Sequence, residues 1–316
     1  MAAVVPPQVK AFVFALVTLV ALAVVLLGHA ILARLGLARQ PTRNERRARA
    51  VVAALVAMGA VCILYGWRVE PYWPAVERVR VTSARWPASS EPLRIVQLSD
   101  LHCEATPRLE ERLPGLVAAE HPDLIVFTGD ALNEPDGLPV LRALLTRLAQ
   151  VAPVYAVKGN WDVWYWSDLE RFAGTGAREL DARALSFEAH GGRVQLVGAP
   201  VDKVDAGLAA LQAASPDALR VFLYHYPDEI YRAAEAGADL YLAGHTHGGQ
   251  VALPFYGALV TFSRFGKRFE RGLHTVGNTT LYVNRGIGME GGSAPRVRFL
   301  ARPEITVIEV SGAAMR

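Results

Sequence analysis

The chain has few cysteines, few charged residues and little net charge. Its 316 residues include two cysteines, Cys62 in an apolar segment and Cys103 beside a histidine. They provide neither a disulfide framework nor the cysteine ligands of a structural zinc site. Charged residues make up only 20% of the chain and the formal net charge is +3, which is too small to indicate nucleic-acid binding. We therefore expect no nucleic-acid partner.

Apolar residues, by contrast, make up 52% of the chain, and the excess lies in two runs near the N-terminus. As a helix, residues 11–33 would be about 35 Å long, enough to cross a bilayer core of about 30 Å. Residues 50–67 would form a helix of about 27 Å that ends in interfacial aromatic residues, Tyr65 and Trp67. The pattern predicts two transmembrane helices, and residues 1–67 are assigned to a two-span anchor.

The orientation of this anchor is predicted from its basic residues. The short loop 34–49 is rich in arginine, so the positive-inside rule predicts that it stays cytoplasmic and that the large domain is extracytoplasmic. Arginines that follow the second run oppose this orientation, and a cleaved signal peptide would invert it. Residues 68–92 are rich in proline, tryptophan and arginine without a helical or strand period, which predicts a juxtamembrane connector.

From Leu93 onward, short apolar runs alternate with amphipathic stretches of helix length. This alternation predicts an α/β domain with helices on both sheet faces. The predicted strands are 93–98, 123–127, 154–157, 194–197, 221–224 and 240–243, with a closing strand pair in 296–310. The predicted helices are 107–120, 138–150 and 228–236.

Polar residues collect where the predicted strands end, which is where α/β sheets place their sites. The seven residues are Asp100, His102, Asp130, Asn160, His225, His245 and His247. Any one of them has an ordinary alternative, such as a helix cap or a surface position. Together, their carboxylate, imidazole and amide groups suit a pair of divalent ions such as Mn, Fe or Zn. We therefore predict a metal centre at this edge of the sheet.

The motifs around these residues resemble those of the calcineurin-like metallophosphoesterase superfamily. They are Asp-x-His (100–102), Gly-Asp (129–130), Gly-Asn-x-Asp (159–162), His-x-Pro-Asp (225–228) and Gly-His-Thr-His (244–247). Segments 244–254, 282–288 and 302–306 are similar to the bacterial membrane- or envelope-associated, YkuE-like branch. The resemblance implies a four-layer αββα sandwich over residues 93–311, preceded by the two transmembrane helices.

The resemblance also implies the roles of the seven residues. One metal would take Asp100, His102 and His247, the other would take Asn160, His225 and His245, and Asp130 would bridge them. Two such cations activate water, bind phosphoryl oxygens and neutralise charge during hydrolysis. Asp130 and Asn160 are therefore the catalytic candidates of a metal-dependent phosphoric ester or anhydride hydrolase.

The sequence departs from the family at Trp161, where the family usually has a histidine that contacts the phosphoryl or leaving-group oxygen. An indole cannot deliver a proton at neutral pH. Three alternatives follow: the substrate has a leaving group that needs no proton, another acid substitutes, or turnover is slow and the domain mainly binds. Asp162, the usual partner of that histidine, is left to cap a helix.

Two further features are candidates for substrate binding. Trp161 belongs to an aromatic patch with Trp164, Tyr165 and Trp166. The patch either packs a loop against the sheet or forms an apolar lip that receives a lipid chain or stacks a base. Arg285 either contacts a substrate phosphate or forms a structural ion pair.

These features predict a multi-pass phosphoesterase of the bacterial inner membrane, with the membrane and a phosphorylated small molecule or lipid as its partners. The expected reaction is hydrolysis of a phosphate ester, diester or pyrophosphate of an envelope or lipid-linked substrate. One alternative is a UDP-2,3-diacylglucosamine pyrophosphatase-like lipid A precursor hydrolase, which requires a cytoplasmic active site. Another is a catalytically weak, metal-binding membrane sensor or scaffold.

Overall fold

The computed structural model describes residues 7–291 and 296–313, and the chain divides into two compact units, Met1–Val69 and Glu70–Arg316. The N-terminal unit contains helices α1 (Pro7–Arg34) and α2 (Arg43–Arg68). Helix α2 begins with a capping box, in which Thr42 and Glu45 each accept a hydrogen bond from the other's backbone N–H. Both helices are long and apolar enough to cross a membrane, and they contain the two predicted spans.

The described residues of the C-terminal unit form fourteen strands, numbered here in chain order, in two six-stranded sheets and one two-stranded hairpin. The first sheet has the order β1-β14-β2-β3-β4-β5: β1 (Ala75–Ser83), β14 (Glu304–Gly312), β2 (Leu93–Leu98), β3 (Leu124–Phe127), β4 (Val154–Ala156) and β5 (Arg178–Glu179). The second has the order β12-β13-β9-β8-β7-β6: β12 (Gly272–Val276), β13 (Thr279–Val283), β9 (Leu240–Ala243), β8 (Leu219–Leu223), β7 (Gly192–Gly198) and β6 (Arg183–Ala189). The hairpin pairs β10 (Ala252–Leu253) with β11 (Gly257–Ala258).

Five helices complete the unit: α3 (Leu113–Ala118), α4 (Leu138–Ala149), α5 (Asn160–Trp164), α6 (Val204–Gln212) and α7 (Ile230–Glu235). Helices α3 and α4 pack on the outer face of the first sheet, in a core that includes Leu113 and Leu145. Helices α6 and α7 pack on the outer face of the second sheet, in a core that includes Leu211 and Ile230. A third core lies between the sheets, so the predicted four-layer αββα sandwich is confirmed.

Successive side chains of a strand point to opposite faces of its sheet, which explains why one sheet contributes to two cores. In β2, Leu93 and Ile95 face the core between the sheets, whereas Val96 and Leu98 face the helices. Both sides of the strand are buried, which is why four of its six residues are apolar. Strands β2, β3 and β4 are parallel, as are β7, β8, β9 and β13. Their carboxyl ends therefore define one edge of each sheet.

The structure differs from the predicted connector over residues 68–92. A 3₁₀ turn at Glu70–Tyr72 is followed by the nine-residue strand β1, which pairs in parallel with β14. Its partner residues lie 229 positions later in the chain, from Ala75 with Glu304 to Ser83 with Gly312. The prolines and tryptophans before the strand obscured its alternation of apolar and basic residues. The boundary at residue 93 remains a prediction, but the compact unit begins at Glu70.

Several predicted boundaries differ from those observed. The helix predicted at 107–120 is only the six-residue α3, because Pro114 has no N–H and is tolerated only in the first turn of a helix. A closing pair of strands was predicted in 296–310, but the described residues there form one strand, β14. Strands β5, β6 and β10 to β13 were not predicted.

Candidate metal centre

The structure brings the predicted ligands together at the carboxyl ends of the strands. Six of the seven form two clusters, Asp100 with His102 and His247, and Asp130 with His225 and His245. In each cluster, one ligand atom from every residue lies within 4.8 Å of the others. In the first, His247 Nε2 lies 3.3 Å from Asp100 Oδ1. In the second, His225 Nε2 lies 3.1 Å from Asp130 Oδ2.

The two clusters adjoin through their carboxylates. Asp130 Oδ2 lies 3.8 Å from His102 Nε2 of the first cluster. Reciprocally, Asp100 Oδ1 lies 3.9 Å from His225 Nε2 of the second cluster. A carboxylate with histidines of both clusters on its two sides is suited to bridging a pair of cations, which is the role that the family resemblance implies for Asp130.

Five of the seven residues have a left-handed backbone, which is uncommon for residues other than glycine. Their φ angles are 47° at Asp100, 43° at His102, 58° at Asp130, 72° at His245 and 52° at His247. Such conformations cost of order 1–3 kcal/mol each and persist where the surrounding structure fixes them. Backbone strain is therefore concentrated at the strand ends that position the ligands.

The glycines of the motifs are needed because the loops approach one another closely. A Cβ on Gly244 would lie 1.9 Å from Ser99 Oγ, and one on Gly159 would lie 2.2 Å from Asp130 Oδ1. A Cβ on Gly129 would lie 2.6 Å from Gly159 N. These separations are too short for any side chain, so the glycine before each of three ligand residues lets the clusters form.

Burial controls the protonation of the histidines. Burial, together with the neighbouring His225, lowers the pKa of His245 to about 3, and burial with His247 lowers the pKa of His102 well below its ordinary value. Both imidazoles are therefore neutral, the form that binds metal. Burial raises the pKa of Asp130 to about 6, against the attraction of His225. Burial also opposes charge on His225, but Asp130 and Asp100 overcome it and raise the pKa of His225 to about 9.

The donor atoms fit a pair of bound cations. The buried Asn160 Oδ1 has no hydrogen-bond partner among the described residues, and an unpaired buried carbonyl oxygen is costly unless a cation or water satisfies it. His225 Nδ1 lies 2.7 Å from the Thr128 carbonyl oxygen. The carbonyl can only accept, so Nδ1 carries a proton, and Nε2, the nitrogen that faces Asp130, is the one that a cation could take in place of its proton. Carboxylate, imidazole and amide oxygen are a donor set for divalent metals.

Asp162 joins the loops that carry Asp130 and Asn160. Its carboxylate accepts hydrogen bonds from the backbone N–H groups of Asp130 (2.8 Å), Ala131 (3.1 Å) and Gly159 (2.9 Å). It also lies 3.1 Å from Arg171 Nε, and both side chains are fully buried. The hydrogen bond from Gly159 is the helix cap that was expected of Asp162. The contacts of Asp162 with Asp130, Ala131 and Arg171 were not predicted. Arg171 follows no motif, so no local pattern indicated it.

Trp161 lies beside the first cluster. Its backbone N–H donates to Asp130 Oδ1 at 2.8 Å, and its indole meets the His102 ring edge-on at a centroid distance of 5.4 Å. The rest of the aromatic patch is divided: Trp166 packs against the core under α4, whereas Trp164 and Tyr165 are 64% and 57% exposed. Trp166 thus packs a loop against the core, whereas a lip that receives a lipid chain or stacks a base stays a prediction for the exposed Trp164 and Tyr165.

Arg285 is held by two carboxylates. Its Nε pairs with Glu304, and an Nη lies 2.7 Å from Glu77 Oε1. This is the structural pairing that was one alternative for Arg285, and a contact with substrate stays a prediction.

Two more residues at the clusters were missed from sequence. The Tyr226 ring packs edge-on against His245 at a centroid distance of 4.4 Å. Its position directly after His225 in the His-x-Pro-Asp motif could have indicated that it lies at the site. The fully buried Arg298 has an Nη 3.3 Å from His247 Nδ1 and donates to the carbonyl oxygens of Gly288 and Ala301. No pattern in the sequence indicated Arg298.

A four-layer α/β sandwich with two adjoining histidine–carboxylate clusters is the arrangement expected of a metal-dependent hydrolase. Comparison with known proteins agrees, since the family model "Calcineurin-like phosphoesterase" matches residues 93–249. The metallophosphoesterase YkuE of Bacillus subtilis is 31% identical over 258 residues, covering 77% of this chain and 87% of that protein. The chain belongs to the calcineurin-like phosphoesterase family, and it is a metal-dependent phosphoric ester or anhydride hydrolase.

Two relatives have more specific names. The phosphodiesterase YaeI of Escherichia coli is 30% identical over 251 residues, which cover 76% of this chain and 90% of that protein. The UDP-2,3-diacylglucosamine pyrophosphatase LpxG of Chlamydia muridarum is 26% identical over 318 residues, which cover 81% of this chain and 95% of that protein. The similarity therefore extends across nearly the full length of relatives named for diester and pyrophosphate hydrolysis.

Proposed function

We propose that this chain is a membrane-anchored, dinuclear-metal phosphoesterase that hydrolyses a phosphate ester, diester or pyrophosphate of an envelope or lipid-linked substrate. The observation that carries this proposal is the pair of buried clusters that adjoin at Asp130. One cation, taken as Mn, Fe or Zn, is assigned to Asp100, His102 and His247, and the other to Asn160, His225 and His245, with Asp130 between them. When bound, the cations supply an activated water and stabilise charge on the phosphoryl oxygens.

The chain's own residues hold this centre in place before any substrate binds. The His245 backbone N–H lies 3.1 Å from both carboxylate oxygens of Asp100, which fixes that carboxylate. The Trp161 N–H fixes Asp130, and the Thr128 carbonyl fixes the tautomer of His225. Such preorganisation lets the ligands act without rearrangement when charge develops on the substrate.

The anchor is proposed to comprise α1 and α2 as two spans of the bacterial inner membrane. Their length and composition support this, as does the arginine-rich segment between them, which favours an extracytoplasmic catalytic unit. The similarity to LpxG over 95% of its length supports the second candidate, a UDP-2,3-diacylglucosamine pyrophosphatase-like hydrolase. That substrate requires a cytoplasmic active site, so a topology reporter fused after Arg316 separates the two candidates.

Metal removal tests the proposal directly. Full-length protein purified in detergent should hold two divalent ions per chain by elemental analysis and hydrolyse bis(p-nitrophenyl) phosphate. Chelation should abolish turnover, and Mn, Fe or Zn should restore it. His225→Ala should lose bound metal and activity, because it removes a ligand of the second cluster.

His190→Ala is the matched control. His190 is a histidine outside both clusters, and its Nε2 lies 2.8 Å from Asp123; its loss should leave metal content and turnover unchanged. Turnover that persists after complete chelation would contradict the proposal. Two bound ions with no hydrolysis of mono-, di- or pyrophosphate substrates would favour the sensor or scaffold.

A further inference from the structure

The hairpin formed by β10 and β11 presents an apolar tip to solvent. Its three-residue loop is Pro254-Phe255-Tyr256, and the Phe255 side chain is fully exposed. Tyr256 is also exposed, as is Phe262 a few residues later, at 61%. Single exposed apolar residues are ordinary, but adjoining exposed aromatic rings mark surfaces that bind a partner or a membrane. We call the consecutive residues Phe255 and Tyr256 the aromatic tip.

The backbone at this tip is one that phenylalanine adopts at a cost. Phe255 has φ 63°, and Phe262 farther along the chain has φ 54°, both in the left-handed region that bulky residues rarely occupy. In three-residue hairpin loops the left-handed position usually carries glycine or asparagine. The chain instead holds large aromatic rings in strained, exposed positions, as expected where the rings serve a binding function.

The segment around the tip is basic. Between Leu253 and Leu273 the chain has four basic residues, Arg264, Lys267, Arg268 and Arg271, and one acidic residue, Glu270. Lys267 Nζ lies 3.7 Å from the centroid of the Tyr256 ring. Arg264 is compensated by Glu229 at 3.3 Å and Lys267 by Glu270 at 3.7 Å, which leaves Arg268 and Arg271 as the excess positive charge. Aromatic residues with lysine and arginine are the composition that binds an anionic bilayer surface.

One short segment connects this hairpin both to the start of the catalytic unit and to the metal centre. Phe299 O accepts a hydrogen bond from Ala252 N of β10 at 2.8 Å. The next two backbone N–H groups, of Leu300 and Ala301, donate to the buried Glu70 carboxylate at 2.9 and 2.6 Å. Glu70 is the first residue of the C-terminal unit, so the start of this unit is hydrogen-bonded to the segment that pairs with the base of the hairpin. Arg298, the residue before Phe299, contacts His247 of the first cluster.

We propose that the aromatic tip inserts into the headgroup region of an anionic bilayer, and that the metal centre takes its phosphate-bearing substrate from that bilayer. The substrate class is then an amphiphile whose phosphate lies at the membrane surface. The proposal rests on the membrane-anchored phosphoesterase proposed above and deepens it. The hairpin begins five residues after His247, so a tip seated in the headgroups keeps the ligand loop at the membrane surface.

Insertion is tested with full-length protein reconstituted in nanodiscs. A Cys62→Ser background leaves the buried Cys103, and Phe255→Cys places an environment-sensitive fluorophore at the tip. Glu188→Cys is the matched control, because Glu188 is exposed on β6, at the edge of the second sheet opposite β12. We expect blue-shifted emission at residue 255 and quenching by bromolipids in nanodiscs of phosphatidylcholine with phosphatidylglycerol. The shift should be smaller in phosphatidylcholine alone, and residue 188 should remain aqueous.

A label at residue 255 that stays aqueous in both lipid compositions overturns the proposal. So does a shift that depends on two protein copies in one nanodisc, because the tip would then bind a second chain. Arg268→Glu combined with Arg271→Glu should remove the dependence on phosphatidylglycerol.

Turnover provides the second test, using Phe255→Asn, since asparagine adopts a left-handed backbone readily. This variant should keep its stability and its hydrolysis of soluble bis(p-nitrophenyl) phosphate. We expect hydrolysis of a phosphodiester lipid embedded in anionic nanodiscs to fall about tenfold or more, because a buried phenyl ring is lost from the membrane contact. Equal turnover of the lipid by both proteins overturns the proposal. Failure of the soluble substrate with wild-type protein would instead count against the phosphoesterase function, while the fluorescence result still decides insertion.

Discussion

Replacing Asp162 with alanine is expected to lower the free energy of unfolding by about 3–5 kcal/mol. This is the usual cost of removing one partner of a buried ion pair and leaving the other charge unpaired. The change leaves the Arg171 guanidinium buried without its carboxylate. It also leaves the backbone N–H groups of Asp130, Ala131 and Gly159 without their acceptor. Because two of those groups belong to the loop of Asp130 and the third precedes Asn160, metal affinity should fall together with stability.

The measurement is thermal unfolding of the full chain in detergent, with metal content determined in parallel. For a unit of this size the expected loss corresponds to a melting temperature lowered by about 6–20 °C. Asp205→Ala is the control, since it breaks an ion pair with Arg232 in which the Asp205 side chain is 85% exposed, and exposed pairs contribute little. The double variant Asp162→Leu with Arg171→Met should recover part of the loss, because no buried charge remains. Equal melting temperatures for Asp162→Ala and Asp205→Ala would contradict the expected role.

The residues of the two clusters were predictable because local sequence determines where a buried strand ends. Asp130 follows Leu124–Phe127, and His245 follows Leu240–Ala243; the apolar runs predict the strands, and the parallel α/β arrangement brings their ends together. Glycine at positions 129, 159 and 244 strengthened the motifs, and the structure shows the reason in the close approach of the loops. The chemistry of the site is thus encoded within a few residues of each strand end.

The residues that support the ligands were not predictable in the same way. Arg171 reaches Asp162 from a segment without regular structure, and Arg298 reaches His247 from 51 positions away. Neither contact has a local signature, because an arginine gives the same sequence pattern whether it is exposed or buried. Strand β1 was missed for a related reason: its pairing with β14 joins the two ends of the catalytic unit. The periodicity of a segment does not indicate which distant strand it pairs with.

Replacing Trp161 with histidine is expected to accelerate hydrolysis of esters with poor leaving groups, by as much as about 10²–10⁴-fold, the usual contribution of a positioned acid or base. The backbone at residue 161 is already fixed by its bond to Asp130 Oδ1. The indole occupies the space beside His102, at a ring-centroid distance of 5.4 Å. A smaller imidazole in that place would provide the donor that the family usually has there. Nitrophenolate leaves without needing a proton, so p-nitrophenyl esters should change much less.

The measurement is the dependence of log(kcat/KM) on leaving-group pKa for a series of phosphodiesters. For the wild-type chain a steep decline with rising leaving-group pKa indicates that no acid assists, which favours a substrate with a good leaving group, such as a pyrophosphate. Trp161→His should flatten that decline, whereas Trp161→Phe, which removes the indole without adding a donor, should not. A wild-type dependence that is already shallow would show that another residue supplies the proton. If Trp161→His and Trp161→Phe behave alike, the indole acts only by occupying space beside His102, and the missing histidine is not what limits this enzyme.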